Sequence, residues 1–275
     1  MEGYLIKKIL NNNVLLVQRN YQSYILVGKG IGFGRKKDTL LTNFDNIEER
    51  FIALKGLNKD QYESFITTVD PQIIETTQKI IDMLKSEGKE RVESHAYVAL
   101  IDHINFAIKR LKEGIEIVNP FLFEIELLYP VEYELAKKAV LIIEEDLKIS
   151  IPESEIGFLC LHIYGVKKDR SKSEALENSK MISEILDLVE KKLDVKLDKD
   201  SFMCRRFVMH LVGVINRSYD EKYYENEFLQ KLKDDLKKEF NVAYYIVKII
   251  EKTLKIKIPE GEIGYIAIHL YKINS

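Results

Sequence analysis

Two segments of this chain are near copies of each other, and the spacing between them constrains the fold more than any other feature. Ile151–Tyr164 and Ile258–Tyr271 share the pattern Ile-Pro-Glu-x-Glu-Ile-Gly and contain equivalent histidines, 107 residues apart. The same offset superimposes His103 on His210, so four of the five histidines fall at two matched sites. Solenoid repeats have periods of about 20 to 50 residues, so this longer period predicts a duplicated domain.

Apolar residues recur at helical spacing from about residue 59 onward, which predicts about five helices in each copy. In the first copy the predicted helices lie between Pro71 and Gly88, and over 98–111, 121–128, 133–147 and 153–165. In the second copy they lie over 174–193, 200–218, 221–239, 241–254 and 260–272. The Pro-Glu-x-Glu openings place acidic residues at the positive end of a helix, which is favourable for starting a helix.

The first 57 residues have a different pattern, typical of β-strands. Short apolar runs separated by turn-forming residues predict four strands, at Tyr4–Leu10, Val14–Val17, Tyr24–Val27 and near Arg50–Leu54. A sheet this small buries a thin core, which favours dimerisation. The chain is therefore predicted to be multidomain. A small all-β module with a four-stranded antiparallel sheet (1–57) precedes two duplicated all-α five-helix domains (58–170 and 171–275).

The composition fits a soluble globular protein, with 46% hydrophobic and 31% charged residues. No apolar run reaches the roughly 18 to 20 residues of a membrane span. The N-terminal sequence lacks a signal-peptide pattern, so we expect a cytoplasmic protein. The two cysteines do not make a disulfide framework.

The N-terminal module is basic. The first 37 residues carry seven lysine or arginine residues and one acidic residue, although the whole chain has a formal net charge of −2. This asymmetry indicates a polyanionic partner for the module, and a chance cluster on a solvated surface explains it equally well.

The segment Gly28–Gly34 carries glycine at every second position, in the order Gly-Lys-Gly-Ile-Gly-Phe-Gly. It is neither a dinucleotide-binding fingerprint nor a P-loop. Alternate glycines leave one face of an extended segment without side chains, so a ligand backbone can approach it. With Lys29 and Arg35 beside it and Phe33 available for stacking, the segment suits RNA. A glycine-rich hairpin without a ligand is the alternative.

The matched histidines lie among apolar helical neighbours, where packing in the core is the commonest role. Metal binding is disfavoured because the sequence has neither His-x₃-His nor Cys-x-x-Cys spacing. General-base catalysis would need a partner nucleophile, and no Ser-His-Asp or paired-carboxylate arrangement stands out. Reversible phosphorylation fits better, because it needs only an accessible imidazole nitrogen. We therefore predict neither an enzyme nor a bound metal or cofactor.

Taken together, these motifs resemble the BglG/SacY family of bacterial transcriptional antiterminators, over the whole chain. The matching segments are Lys8–Val14, Gly28–Gly34, Asp102–Ile108 and the two Glu-x-Glu-Ile-Gly-x₄-His blocks. The glycine segment followed by basic residues looks most like the glucose-operon branch. The resemblance implies an N-terminal co-antiterminator RNA-binding domain followed by two regulation domains of the sugar phosphotransferase system (PTS).

The resemblance also implies that the β module forms a homodimer, which grips an imperfect mRNA hairpin overlapping a terminator. The positions expected to contact RNA, with Arg35 added from the adjoining basic run, are Asn11, Asn13, Gly28, Lys29, Gly30, Phe33 and Arg35. The expected phosphoacceptors for the phosphocarrier HPr or a sugar-specific enzyme II are His103, His162, His210 and His269. Asp102 precedes the first acceptor and is replaced by Met209 in the second copy, so His210 departs most from the family pattern.

Two other functions stay open on the residues alone. One is a PTS-regulated DNA-binding activator, although no helix-turn-helix pattern precedes residue 60. The other is a metal- or ligand-sensing helical protein with a small dimerisation module. Substituting His103 and His162 would abolish metal uptake by a metal sensor, whereas it would abolish only phosphate labelling of an antiterminator.

Overall fold

The computed structural model describes residues 3–20, 22–47, 49–52, 68–88, 94–166, 171–219 and 226–274. The contacts within the chain divide it into two compact units. One unit combines Met1–Asn119 with Val131–Arg170, and the other combines Pro120–Pro130 with Ser171–Ser275.

The first unit begins with an antiparallel sheet. Its strands are β1 (Tyr4–Ile9), β2 (Val14–Arg19), β3 (Gln22–Val27), β4 (Leu40–Leu41) and β5 (Glu49–Ile52). The strand order is β4-β1-β2-β3-β5. The four predicted strands are confirmed, and the two-residue strand β4 adds a short fifth one that pairs with β1. The predicted end of the last strand, residues 53–54, lies outside the described residues.

Both faces of this sheet are apolar. Alternating residues on one face form a cluster together with Ile31 from the loop after β3; its sheet members are Tyr4, Ile6, Leu15, Val17, Leu26 and Leu41. The residues between them point to the opposite face, and Val14, Leu16, Ile25 and Val27 are at most 4% exposed there. A small sheet normally packs one face, so the burial of the second face requires a further layer.

Ten helices lie in the described part of the chain. In the first copy they are α1 (Pro71–Gly88), α2 (Ser94–Lys112), α3 (Leu122–Leu128), α4 (Pro130–Leu147) and α5 (Glu153–Tyr164). In the second copy they are α6 (Lys172–Leu193), α7 (Phe202–Tyr219), α8 (Leu229–Asp235), α9 (Lys237–Leu254) and α10 (Glu260–Asn274). The prediction of an all-β module followed by two duplicated helical domains is thus confirmed. No helix in the described ranges is long and apolar enough to cross a membrane.

The duplication extends to details of the backbone. Lys148 after α4 and Lys255 after α9 are 107 positions apart, and both adopt left-handed conformations, with φ of 52° and 56°. Near the end of α4, the Glu144 carboxylate accepts the Ile151 N–H at 2.9 Å. In α9, the equivalent Glu251 accepts the Ile258 N–H at 3.1 Å. In each copy, the equivalent glutamate therefore holds the backbone in place just before α5 or α10 begins.

The short helix α3 belongs by its contacts to the second unit. It packs against α6 and α7, and Leu127 enters their hydrophobic core. The fully buried Glu124 accepts a hydrogen bond from Lys199 at 2.6 Å. Arg205 donates two hydrogen bonds to Glu126, the shorter at 2.8 Å. By contrast, α8, at the matching position of the second copy, packs against α9 and α10.

One predicted helix differs from the structure. The sequence pattern predicts a single helix over 221–239, whereas the structure has α8, a break at Leu236 (φ −117°, ψ 46°) and then α9 from Lys237. Residues 221–225 lie outside the described ranges. The apolar spacing continues through Leu236, so it does not reveal the change of direction there.

Candidate RNA-binding loops and histidine pairs

The residues predicted to bind RNA come together at one end of the sheet. The Asn11–Asn13 turn joins β1 to β2, and the glycine segment follows β3. The Gly28 N–H donates to the Asn13 carbonyl at 2.9 Å, and the Gly30 N–H donates to Asn13 Oδ1 at 2.8 Å. Asn13 N–H in turn donates to Asn11 Oδ1 at 2.8 Å. The two loops therefore form one hydrogen-bonded platform.

The prediction that the glycine segment is extended is wrong. Successive turns shape it, with Ile31 N–H donating to the Gly28 carbonyl and Phe33 N–H to the Gly30 carbonyl. A Cβ on Gly28 would lie 1.8 Å from the Asn46 carbonyl oxygen, and one on Gly32 would lie 2.3 Å from that of Asn11. These two glycines therefore allow a close approach of the protein's own backbone.

The other two alternate glycines serve the turns themselves. Gly30 and Gly34 have φ of 71° and 67°, a region that favours glycine, and a Cβ at either would meet open space. The alternation thus comes from two different local requirements, neither of which depends on a ligand.

The platform presents charged and aromatic side chains outward. Phe33 is 76% exposed, and Lys29 and Arg35 are exposed on either side of it. Asn11 and Asn13 are half-buried, and both side-chain amides donate to the Glu75 carboxylate, at 2.7 and 3.1 Å. All seven predicted RNA-contacting residues therefore lie in one pair of joined loops.

The four predicted phosphoacceptors form two stacked pairs. The rings of His103 and His162 are 4.5 Å apart between centroids and inclined by 27°. Those of His210 and His269 are 4.3 Å apart and inclined by 29°. All four side chains are half-buried. Helices α2 and α5 position the first pair, and α7 and α10 position the second.

A buried ion pair accompanies each histidine pair, and the sequence analysis missed it. Arg110 Nη2 lies 2.5 Å from Glu155 Oε1, and Arg217 binds Glu262 through two hydrogen bonds of 2.8 Å. Both carboxylates are only 1% exposed. We interpreted these glutamates as helix-start residues, but the 107-residue offset relates both the arginines and the glutamates, and that signal would have revealed the pairs.

Each histidine pair lies beside one arginine–glutamate ion pair, and the second pair has further cations near it. The Nε2 atom of His103 lies 3.5 Å from Glu155 Oε2. In the second copy, burial, then His269, Arg217 and Arg206, lower the pKa of His210 to about 4. Burial and then Arg206 and Lys272 lower the pKa of His269 as well. Burial and the neighbouring cations therefore favour the neutral form of both histidines in the second pair.

The two cysteines lie in the interior of the helical domains. Cys160 and Cys204 are buried thiols, and burial raises the pKa of each. Within the described residues, no group of three or more histidine, cysteine, aspartate or glutamate side chains is placed to hold a metal ion.

Comparison with known domain families matches the chain in three places. Residues 4–59 match the CAT RNA binding domain, and residues 78–166 and 183–273 each match the PRD domain. These matches coincide with the sheet module and the two helical copies.

Several full-length proteins are similar over almost the whole chain. The PtsGHI operon antiterminator of Bacillus subtilis is 33% identical over 276 residues, covering 99% of this chain and 98% of that protein. Protein GlcT of Staphylococcus haemolyticus is 32% identical over 277 residues, covering 100% and 98%. The crystal structure of GlcT CAT-PRDI is 36% identical and has a TM-score of 0.51, covering 61% of this chain and 99% of that chain.

Proposed function

This chain belongs to the glucose-operon branch of the BglG family of PTS-regulated, RNA-binding transcriptional antiterminators, and we propose that it acts as a homodimer on a nascent mRNA hairpin. Binding would stabilise that hairpin at the expense of an overlapping terminator. A cytoplasmic location follows from the nascent transcript as target. We place the domain boundaries near residues 57 and 170, both of which lie outside the described residues.

The observation that carries the RNA proposal is the joined pair of loops. The Gly30 N–H to Asn13 hydrogen bond fixes the asparagine turn against the glycine turns. Phe33 can then stack on an unpaired base, while Lys29 and Arg35 meet phosphates on either side. Asparagine amides can read base edges or the backbone. A DNA-binding activator is not favoured, because the module is a sheet with irregular loops and a CAT RNA-binding match.

Replacing Phe33 by alanine is expected to weaken hairpin binding by about 1–3 kcal/mol, because a base loses its stacking partner. Replacing Lys29 by alanine should lower the salt dependence of binding by about one phosphate contact. Titrations of the full chain at several salt concentrations, against the hairpin, a scrambled RNA and the matching DNA duplex, would measure both effects. Phe202→Ala is the matched control, because Phe202 is 71% exposed on the second helical domain. An unchanged affinity for both loop variants would contradict the assignment.

The histidine pairs are the proposed points of PTS control, with HPr or a sugar-specific enzyme II as donor. A phosphoryl group adds a charge of about −1.5 to −2 at pH 7. On the first pair it would meet Glu155, 3.5 Å from His103, which disfavours the packed arrangement. On the second pair it would meet Arg206. The two modifications are therefore proposed to act in opposite directions on the dimer.

This arrangement makes the chain a substrate of phosphotransfer, without requiring catalytic groups of its own. The low pKa of His210 keeps its imidazole neutral at pH 7, which is the nucleophilic form. Arg206 beside the ring would offset the charge of the product. Because RNA binding requires both protomers, a modest shift in the dimer equilibrium would switch affinity.

Replacing both His103 and His162 by alanine is expected to remove the acid-labile phosphate that HPr transfers to the first regulation domain. Incubation of the full chain with labelled phosphoenolpyruvate, enzyme I and HPr, followed by peptide mapping, would measure it. His95→Ala is the control, because His95 has no histidine counterpart at the 107-residue offset. Undiminished labelling of this domain in the double variant would rule out the pair as acceptors.

A further inference from the structure

A carboxylate from the first helical domain occupies the predicted RNA site. Asn11 Nδ2 and Asn13 Nδ2 donate to the same oxygen, Glu75 Oε1, at 2.7 and 3.1 Å. Glu75 lies on α1 and is more than 60 residues away in sequence. The two amides that the sequence analysis assigned to RNA therefore already bind an anion.

The orientation of these amides is fixed by their other hydrogen bonds. Asn11 Oδ1 accepts the Asn13 N–H and Asn13 Oδ1 accepts the Gly30 N–H. Both side-chain oxygens are thus used to build the platform, and the NH₂ groups point to the ligand side as donors. A phosphate oxygen and a carboxylate oxygen are both anionic acceptors, so either can bind at this position.

The same helix also packs against the sheet, which has a second buried apolar face. Val14 and Leu16 on β2, and Ile25 and Val27 on β3, point away from the cluster that includes Tyr4 and Ile6, yet all four are buried. Helix α1 packs against β2, and α2 packs against β5. Helix α1 therefore lies against the sheet, where Glu75 reaches the loops that carry Asn11 and Asn13.

We propose that α1 is an autoinhibitory element, in which Glu75 competes with an acceptor group of RNA for Asn11 and Asn13. This inference rests on the proposed RNA-binding function and names a regulation of the same site. RNA can bind only when α1 withdraws, so the apparent dissociation constant is the intrinsic one divided by the fraction of chains in the open form. A change in the first helical domain that moves α1 would thereby alter RNA affinity directly, in addition to any change in dimerisation.

The test is RNA affinity of full-length variants at position 75. Hydrogen bonds to charged groups are worth more than neutral ones, so Glu75→Ala is expected to tighten binding of the imperfect RNA hairpin about tenfold. Glu75→Gln keeps the shape and one acceptor, and is expected to tighten binding about threefold. Glu87→Ala is the matched control, because Glu87 lies on the same helix and pairs with Lys138; its affinity should not change.

A second readout is independent of RNA. Exchange of the Asn13 and Gly30 backbone N–H groups, in peptides spanning 10–14 and 28–32, should accelerate in Glu75→Ala without RNA, because their acceptors, the side chains of Asn11 and Asn13, lose the hydrogen bonds to Glu75 that hold them in place. Unchanged or weaker hairpin binding by Glu75→Ala, or an equal gain in Glu87→Ala, would overturn the autoinhibition while leaving the RNA function intact. If neither the wild-type chain nor any variant prefers the hairpin to its scrambled version, the RNA function and this inference both fail.

Discussion

Replacing Glu262 by alanine is expected to destabilise the second helical domain by about 3 kcal/mol, the lower end of the range for breaking a buried ion pair. Glu262 is 1% exposed and receives two hydrogen bonds of 2.8 Å from Arg217. The substitution removes the acceptor of both hydrogen bonds from the Arg217 guanidinium. The Arg217 side chain is 26% exposed. Partial exposure of Arg217 is the reason to expect the lower end of that range.

Chemical denaturation of the full chain, followed with peptide-resolved hydrogen exchange, would locate the loss in α7 and α10. Peptide resolution matters because a chain of several units need not unfold in one step. Glu260→Ala is the control, because Glu260 opens the same helix but is exposed and lies 3.6 Å from Lys233. A surface pair of this kind is worth about 0–1 kcal/mol. Equal losses in the two variants would contradict the buried pair.

Replacing both residues of the ion pair distinguishes the cost of a buried unpaired charge from the cost of lost packing. A double replacement, Arg217→Met with Glu262→Leu, removes the two charges together and keeps most of the volume. Such changes are often neutral or stabilising, since no charge is left buried alone. If the double variant recovers stability but loses phosphate acceptance at His210 and His269, the pair positions the histidines and is not required for folding.

The duplicated architecture could be predicted because it depends on local periodicity and on one repeated offset. Helical spacing places α4, α5, α9 and α10 close to their observed bounds. The same offset singles out the four histidines, but the stacking of His103 on His162 and of His210 on His269 depends on which helices pack together and could not be predicted from it. The strands were found for the same reason, because alternation is a property of consecutive residues.

Features that depend on distant contacts were missed. The alternating glycines suggested an extended segment, but Gly28 and Gly32 are small because the Asn46 and Asn11 carbonyls approach them. Helical spacing identified α3, but spacing cannot say which unit a helix packs against. The hydrogen bonds from Asn11 and Asn13 to the Glu75 carboxylate join residues more than 60 positions apart, and no local sequence pattern indicates them.

Lowering the pH from 6.5 to 5 is expected to destabilise the second helical domain by up to about 2 kcal/mol. The pKa of His210 is about 4 in the folded chain, against an ordinary value of 6.5. The unfolded chain therefore takes up the proton first, so this contribution to stability is complete above pH 6.5 and is lost as the pH falls towards 4. The half-burial of the ring makes 2 kcal/mol an upper figure.

Denaturation of the full chain at several pH values would measure this slope, and His210→Asn should reduce it because no proton is then taken up at that position. His95→Asn is the control and should leave the slope of the second domain unchanged. The window above pH 5 avoids most carboxylate titration, including that of Glu251, whose pKa lies below its ordinary value. An equal slope in His210→Asn would mean that His210 is not held neutral. A phosphoacceptor must also be neutral, because a protonated imidazole has no lone pair to attack phosphorus. A slope of stability against pH that is unchanged in His210→Asn would therefore also weaken the assignment of His210 as an acceptor.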